Sequence, residues 1–265
     1  MRKILRHSLT VLGLLCGLVS QRVFAVDHNN IDGGRPLSFD DAEAVAYRER
    51  SVETGISIQS PHQRPVGYGL AAEFLYGLAL NAHMSVDLDP TWGGRAASKE
   101  TRFDFSNVSV GGLYNFNREY GRVPAFALRG DVSFPTGRDS KGVNTRLRAI
   151  SSKTIFQYSR VHLNLDGTVI GNPESGQRAF EPGVVLGFSS PLGYPRHFPT
   201  TGLAEIGVRS GDKKGTDSVY LIGLGVRHQL TVRSVIDVGV QSEALSSSST
   251  PHDDVRFVAG YSVGF

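Results

Sequence analysis

Charged side chains recur at every second position of several apolar segments, and they are the residues of this sequence most able to bind ions or solutes. Around residue 130, for example, Arg129 and Asp131 alternate with Phe126, Leu128 and Val132. A period of two places the charged residues on one face of a β-strand and the apolar residues on the other. The charged phase collects ionisable residues along most of the chain, namely Glu53, Glu73, His83, Asp87, Arg129, Asp131, Lys153, His162, Asp166, Glu205, Arg209, Arg227, Asp237 and Arg256.

A face that carries both acids and bases has two interpretations. The groups either line a water-filled lumen and select the solutes that enter it, or they pair with one another and fill a narrow interior. The mixed signs argue against strong selectivity for anions or cations. They suit short ladders, such as Arg129 beside a neighbouring acid.

Catalytic and metal chemistry have little support in the sequence. His228 falls in the outward phase of its segment and Ser242 is expected in the outward phase of the next, which leaves a lipid-hydrolysing Ser–His pair as an alternative. No G-x-S-x-G elbow accompanies them. The eight histidines are scattered without metal-ligand spacing or cysteine partners. We therefore predict no catalytic residue, no metal and no cofactor.

The element that must position these groups is clearest at the carboxyl terminus. In the segment 254–265, the residues Phe257, Ala259, Tyr261, Val263 and Phe265 fall on one face of a strand. A final strand that ends on an aromatic residue is typical of bacterial outer-membrane β-barrels, in which one strand face contacts lipid. We interpret Tyr261, Val263 and Phe265 as an assembly signal.

The rest of the chain supplies further strands of similar length. Segments of about 9–11 residues, the length that a tilted membrane strand requires, alternate with polar loops and shorter turns. We count about twelve, near 52–59, 67–76, 82–88, 102–116, 123–134, 145–158, 161–169, 179–189, 202–210, 218–230, 235–243 and 255–265. A break in phase between Phe105 and Val108 predicts a bulge. The predicted fold is an all-β, antiparallel, up-and-down transmembrane barrel.

The amino terminus reads as a targeting segment. Basic residues precede a short apolar run over 9–19, and Val23-Phe24-Ala25 supplies small residues for cleavage, which predicts a signal peptide over 1–25. Residues 26–50 are expected to form a periplasmic segment with one short helix over 38–50, acting as a plug, a brace or a tether. The barrel would occupy 51–265.

The charge balance changes when the leader is set aside. Without its four basic residues, the 28 Lys and Arg of the full chain fall to 24, against 25 Asp and Glu. No basic tract with interleaved aromatic residues occurs, so nucleic acid is not an expected partner. The expected partners are outer-membrane lipids, the barrel assembly machinery and a small-molecule solute, and the expected state is a monomer.

Several short motifs resemble one known family. They are Tyr76-Gly77-Leu78, the run 124–137 ending in Pro135-Thr136-Gly137, Gly223-Leu224-Gly225-Val226-Arg227, and Gly260-Tyr261-Ser262-Val263-Gly264-Phe265. Together they resemble the outer-membrane barrel family named for the MetA pathway of phenol degradation, over about residues 68–265. The resemblance implies a bacterial outer-membrane channel for the passive uptake of small solutes, with hydrophobic or aromatic compounds as one class. A lipid-modifying enzyme and a structural or surface-binding barrel with a filled lumen are the alternatives.

Overall fold

The computed structural model describes residues 35–93, 103–138, 140–193 and 198–265. The signal peptide expected over 1–25 and the following residues 26–34 lie outside the described residues. Within the described ranges, no helix has the length and apolar character needed to cross a membrane.

The described residues form one antiparallel sheet. Its strands are β1 (Arg50–Pro61), β2 (Gly67–Ala79), β3 (Ala82–Leu88), β4 (Thr91–Gly93), β5 (Phe103–Asp104), β6 (Val108–Asn117), β7 (Ala125–Phe134), β8 (Asn144–Thr154), β9 (Arg160–Val169), β10 (Phe180–Leu192), β11 (Thr200–Arg209), β12 (Val219–Thr231), β13 (Ser234–Ser242) and β14 (Asp253–Gly264).

The sheet closes on itself, because β1 pairs with both β2 and β14. From β6 to β14 each strand pairs with the next one in sequence, as in an up-and-down barrel. The closing seam runs from Ser51 opposite Gly264 to Pro61 opposite Asp253. We call the end of the barrel at Arg50 and Phe265 the turn end, and the end at Pro61 and Asp253 the loop end.

Two of the barrel strands are interrupted. β3 pairs with β6, and β4, which follows β3 after a two-residue break, pairs with β5. The break before β6 contains Ser106, whose φ of 58° is in the left-handed region. Counting β3 with β4 and β5 with β6 gives twelve strands. The predicted fold class and strand number are thus confirmed, and the break at Ser106 coincides with the predicted phase change.

The barrel has an apolar outer face and a polar inner face. Outward side chains such as Ile56 and Leu224 are 58% and 63% exposed, whereas the inward Glu205 and Arg227 are 3% and 1% exposed. Each strand alternates between the two faces because successive side chains point to opposite sides of the sheet. Exposed aromatic residues lie near both ends of the barrel wall, for example Tyr114, Phe116, Phe156 and Tyr158 at the turn end and Phe103, Phe134, Phe180 and Tyr220 at the loop end.

The predicted helix over 38–50 does not form. Residues 35–49 run in a non-helical conformation and enter the barrel interior, where Leu37, Phe39 and Ala42 are completely buried. Side chains of the barrel wall bond the backbone amides of this stretch, so it gains those hydrogen bonds without a helical turn. Plug, brace and tether were the roles considered from sequence, and the structure places this stretch inside the barrel in contact with its wall.

Candidate functional site: the barrel lumen

Residues 35–49, which we call the lumen segment, follow the inner wall of the barrel. From Glu49 back to Arg35 they contact successive strands around the barrel, which makes the segment a belt rather than a central rod. The contacts are Val45 N to His83 Nδ1 on β3 (3.1 Å), Ala42 N to Ser152 Oγ on β8 (3.0 Å), Asp40 N to Asn164 Oδ1 on β9 (2.8 Å), Ser38 N to Glu205 Oε2 on β11 (2.9 Å) and Arg35 NH2 to Glu53 Oε2 on β1 (2.6 Å).

Arg148 on β8 is the central anchor of the belt. Its guanidinium donates to the carbonyl oxygen of Ser38 at 2.8 Å and to Asp40 Oδ2 at 2.7 Å. On its other side it donates to both oxygens of Asp166, at 2.8 and 3.0 Å. Arg148 is 2% exposed. A buried guanidinium shared by two carboxylates is a strong and directional contact, because each hydrogen bond is charge-assisted.

Two polar wall residues bind the belt backbone much as a neighbouring strand would. Asn164 accepts from Asp40 N and donates to Asp40 O at 2.9 Å. Ser38 donates through its backbone N–H and its hydroxyl to Glu205 Oε2, at 2.9 and 2.6 Å. Since Asn164 and Glu205 are buried, these bonds satisfy groups that would otherwise be costly to desolvate.

Apolar contacts fix the middle of the belt. Leu37 and Phe39 pack with Val185 and Leu203 of the wall. The ring of Phe39 also covers Gly187, where a Cβ atom would overlap the ring. Glycine at this position therefore permits the close approach of the belt to β10.

The belt ends at the closing seam. Arg35 donates to Glu53 on β1 and to Ser262 Oγ on β14 at 3.4 Å, and its guanidinium lies 4.0 Å from Asp237. Both seam strands are thus bound by one side chain. At the other end of the belt, Glu49 Oε2 accepts from Ala46 N at 3.2 Å. Burial raises the pKa of Glu49 above its usual value, and the hydrogen bond from Ala46 N only partly offsets this effect.

A second group of charges lies on the neighbouring strand, where Arg129 on β7 is paired in the register with Arg148 on β8. Arg129 donates to Asp131 Oδ1 at 3.0 Å and to Glu73 Oε1 at 3.1 Å, and Asp87 lies 3.9 Å away. This arrangement is a short ladder of Arg129 with neighbouring acids.

Cavities lie on both sides of the belt. At the loop end, cavities of about 270 and 390 Å³ share Ser38, Arg146, Arg148 and Arg256 in their walls. At the turn end, a cavity of about 480 Å³ is lined by residues including Glu43, Asn115, Glu119 and Arg160. The lumen therefore contains open space at the loop end and at the turn end, and the belt narrows the lumen between them.

Glu119 is part of the turn-end cavity wall and lies in the turn between β6 and β7. It pairs with Lys153 and accepts from Thr154 N at 3.0 Å. Burial raises the pKa of Glu119, but the hydrogen bonds from Lys153 and Thr154 outweigh it and hold that pKa below its usual value. The mouth at this end therefore carries an ionised carboxylate at neutral pH.

The structure corrects one of the predicted lumen residues. Lys153 is opposite Val161 in the β8–β9 register and shares the outward phase of Leu147. The inward phase of β8 instead contains Arg146 and Arg148. The phase assigned to this segment from sequence was one residue out, because Ser151 and Ser152 occupy opposite faces of β8 and weaken its alternation.

All other members of the predicted set fall in the inward phase of their strands. Their contacts range from the belt to the wall itself. His83, Glu53, Asp166, Glu205 and Asp237 lie at the belt or its anchors, Glu73, Asp87, Arg129 and Asp131 form the ladder, His162 bonds Ser152 and Ser189, Arg209 pairs with Asp212 and Glu243, Arg227 is buried, and Arg256 lines the loop-end cavities.

The sequence reasoning missed most of the belt contacts. Asp40 lay within the helix predicted over 38–50, and Ser152 and Asn164 were not among the predicted lumen residues. The adjacent acids Asp40 and Asp41 in the amino-terminal segment, and Arg146 and Arg148 spaced by two in one strand, were the available signals.

The possible Ser–His pair is not assembled. His228 Nδ1 lies 2.7 Å from Thr200 Oγ1, and Ser242 Oγ donates to Asp254 O at 2.6 Å. Ser242 is opposite Ile222 in the register, six residues along β12 from His228. At about 3.3 Å per residue, roughly 20 Å separates them.

Comparison with known proteins agrees with this architecture. A family model described as "Putative MetA-pathway of phenol degradation" matches residues 62–248. The chain belongs to this family. The resemblance inferred from the motifs is thereby confirmed. None of the curated proteins compared with the chain matches it.

Several solved barrel structures have a fold similar to that of this member of the MetA-pathway family. The COG4313 outer membrane channel from Pseudomonas putida F1 superposes with a TM-score of 0.67 at 12% identity, covering 89% of this chain and 100% of that one. The KdgM porin in complex with disordered oligogalacturonate gives 0.56 at 12% identity, covering 81% and 99%. The NanC porin gives 0.55 at 10% identity, covering 81% and 98%. At these identities the likeness concerns the fold: the barrel resembles outer-membrane porins.

Proposed function

We propose that this protein is an outer-membrane channel through which small solutes pass passively, and that the lumen segment sets the width of the path. The observation that carries this proposal is the pair of hollow, polar compartments on either side of the belt. Charged side chains in their walls allow both compartments to fill with water, so each offers a hydrated path to a small polar solute.

The solute is expected to be small and not strongly selected by charge. Arg146, Arg148 and Arg256 line the loop-end cavities, but Asp166 and Glu181 lie among them. A ring of one sign would favour the opposite ion, and this mixture does not. Family membership favours hydrophobic or aromatic compounds, and an aromatic acid would offer both a ring and a carboxylate for the arginines.

The belt must yield for the two compartments to connect. Its hydrogen bonds to the wall are mostly made by side chains rather than by a continuous strand ladder, so parts of it can separate from the wall without breaking the barrel. This favours a narrow or intermittently open channel over a wide pore.

The test is single-channel conductance in planar bilayers. The mature protein is compared with a variant that lacks residues 26–49, after both are shown to be folded by their heat-modifiable mobility on gels. We expect small or infrequent openings for the mature protein, larger and steadier openings for the deletion variant, and a reduced current when benzoate is added. Inserted barrels that stay silent in both forms would overturn the proposal.

A lipid-hydrolysis assay on the same preparations separates the channel from the lipid-modifying alternative. We expect no release of fatty acid above that of empty micelles, since His228 and Ser242 have other partners. Hydrolysis that disappears in His228→Ala would contradict this expectation.

A further inference from the structure

Three side chains with metal-binding atoms meet at the loop end of the closing seam. His62 follows β1, while His252 precedes β14 and Asp254 is its second residue. His62 Nδ1 lies 3.0 Å from Asp254 Oδ1, and His252 Nε2 lies 3.3 Å from the same oxygen. Within the described residues, these three are the group whose arrangement could hold a metal ion. Sequence reasoning could not bring these residues together, because about 190 residues separate the two histidines.

We propose that His62, His252 and Asp254 bind a divalent transition-metal ion of the zinc class. The donor atoms all lie within 4.8 Å of one another. With metal–ligand bonds of about 2.0–2.2 Å, neighbouring ligand atoms of a tetrahedral zinc site lie roughly 3.3–3.5 Å apart. Two of the three separations are therefore close to the required values, and the third, between the two imidazole nitrogens, is at most 4.8 Å.

The hydrogen bonding of His252 supports a cation at this point. His252 Nδ1 lies 2.7 Å from the carbonyl oxygen of Thr250, which can only accept, so the Nδ1 proton is used there. In the neutral ring, Nε2 then carries a lone pair that faces the carboxylate oxygen of Asp254. Two acceptors 3.3 Å apart repel each other unless a cation lies between them or the ring gains a second proton.

The same contact is the usual outer-shell support of a metal-bound histidine. A backbone carbonyl that accepts from one ring nitrogen orients the other nitrogen towards the metal. His62 is also held in place, because its backbone N–H donates to His252 O at 3.0 Å and the two imidazole rings stack with centroids 4.7 Å apart. The site is thus organised before any ion enters.

The ligand types and exposure define the ion. Two imidazoles and one carboxylate suit zinc, copper or nickel, whereas magnesium and calcium prefer oxygen ligands alone. His252 is 2% exposed, but the Asp254 side chain is 40% exposed, which gives an ion a path from solvent. Three protein ligands leave a fourth position for water or a solute group.

A metal ion bound at this site would link β1 and β14 at the loop end of the barrel. Pro61 is opposite Asp253 at the end of the β1–β14 ladder, and the register is irregular there. A metal that binds only the folded state adds its binding free energy to the stability of the barrel. The site would therefore strengthen the seam where its regular strand pairing ends.

The test uses chelator-treated, tag-free mature protein folded in detergent, titrated with ZnCl₂ by calorimetry, with MgCl₂ as the non-binding ion. We expect about one zinc ion per chain and, for His252→Ala and for Asp254→Asn, affinity at least about tenfold weaker. His228→Ala, which alters a histidine at the opposite end of the barrel, is the matched control and should bind as the wild type does. Zinc should also raise the temperature of the folded-to-unfolded gel shift in the wild type and in His228→Ala, but not in His252→Ala.

Two results would overturn the proposal. One is unchanged zinc affinity in both His252→Ala and Asp254→Asn, which would place any binding at other histidines. The other is a wild type that binds no zinc, which would leave the contact between His252 and Asp254 as a hydrogen bond without a metal. Asp254→Asn preserves the shape of the side chain, so it keeps the test decisive if His252→Ala fails to fold.

Discussion

The ring of Phe39 stacks on the imidazole of His162, with centroids 5.2 Å apart and an interplanar angle of 29°. His162 is itself fixed by Ser152 and Ser189, whose hydroxyl oxygens lie 2.9 and 3.0 Å from its ring nitrogens. The lumen segment is therefore attached to the wall by an aromatic contact that depends on two serines and on the absence of a side chain at Gly187.

Substitution of Gly187 should weaken the contact between the belt and the wall without unfolding the barrel. In Gly187→Ala the new methyl group would overlap the Phe39 ring, so the ring and its neighbours must move. We expect a folded barrel that is about 1–3 kcal/mol less stable, the usual cost of overpacking, and that conducts more than the wild type. Single-channel recording and the heat-modifiable gel shift measure the two effects.

Gly130→Ala is the matched control for this substitution. A Cβ at Gly130 meets only Leu147 Cδ2, at an ordinary distance of 3.4 Å. Its conductance should equal that of the wild type. Equal conductance of all three proteins would show that the position of Phe39 does not limit the path.

Removal of Arg148 should destabilise the belt more than removal of Arg146. Arg148→Ala leaves Asp40 and Asp166 without the guanidinium between them, and breaking a buried ion pair costs about 3–5 kcal/mol. Arg146 also contacts Asp166, at 2.8 Å, but its side chain is 37% exposed. Arg146→Ala should therefore cost about 1 kcal/mol or less.

Urea unfolding in detergent compares the two arginine variants. A further variant, Arg148→Ala with Asp40→Asn, removes one of the uncompensated charges and should recover part of the lost stability. Equal losses for Arg146→Ala and Arg148→Ala would mean that the belt contacts of Arg148 contribute nothing to stability.

The barrel could be predicted from sequence because its rule is local. Each strand needs only alternate apolar residues such as Phe257 and Tyr261, and membrane thickness fixes its length. The strand bounds differ from the prediction by a few residues, and the break at Ser106 was visible as a change of phase. The assignment failed on β8, where serines on both faces weaken the alternation and shift Lys153 into the wrong phase.

The belt and the seam cluster could not be predicted in the same way. The acids and arginine-rich end of residues 38–50 also suit a helix, and only the wall residues that bind them, such as Arg148 and Asn164, favour the extended path. Those partners are more than 100 positions away. No periodicity records a contact of that kind, and the same holds for His62 and His252.

The stability contributed by Glu49 should depend on pH in a defined direction. Its pKa is raised by burial, so the folded state binds a proton more tightly than the unfolded state, whose value is near 4.5. Stability from this group is complete below that unfolded value and is lost as the pH rises through the folded pKa. The Glu49→Gln variant lacks this titration. Its free energy of unfolding, measured relative to that of the wild type, should therefore increase as the pH rises from 4 to 8.

Glu174→Gln provides a control of opposite sign. Glu174 is exposed and pairs with Lys141 at 2.8 Å, which lowers its pKa. The stability that Glu174 contributes is present above its pKa in the unfolded state and is lost as the pH falls. Relative to the wild type, Glu174→Gln should therefore be less stable at pH 8 than at pH 4. Urea midpoints at the two pH values measure both differences. An identical trend in the two variants would contradict the assigned directions.

The terminal phenylalanine should matter more for assembly than for the stability of the assembled barrel. Phe265 N donates to Arg50 O at 2.9 Å, a backbone bond that does not depend on the side chain. The half-buried ring makes a modest contribution to stability, so Phe265→Ala should cost less than about 2 kcal/mol once folded. If the aromatic terminus is read during assembly, the amount of folded barrel in the outer membrane should nevertheless fall severalfold. Phe257→Ala, on the same outward face of β14 and 56% exposed, is the control and should assemble normally. Quantifying the heat-modifiable band in outer-membrane fractions separates the two effects: a loss shared equally by both variants would show that the outward face of β14, and not its terminal residue, governs assembly.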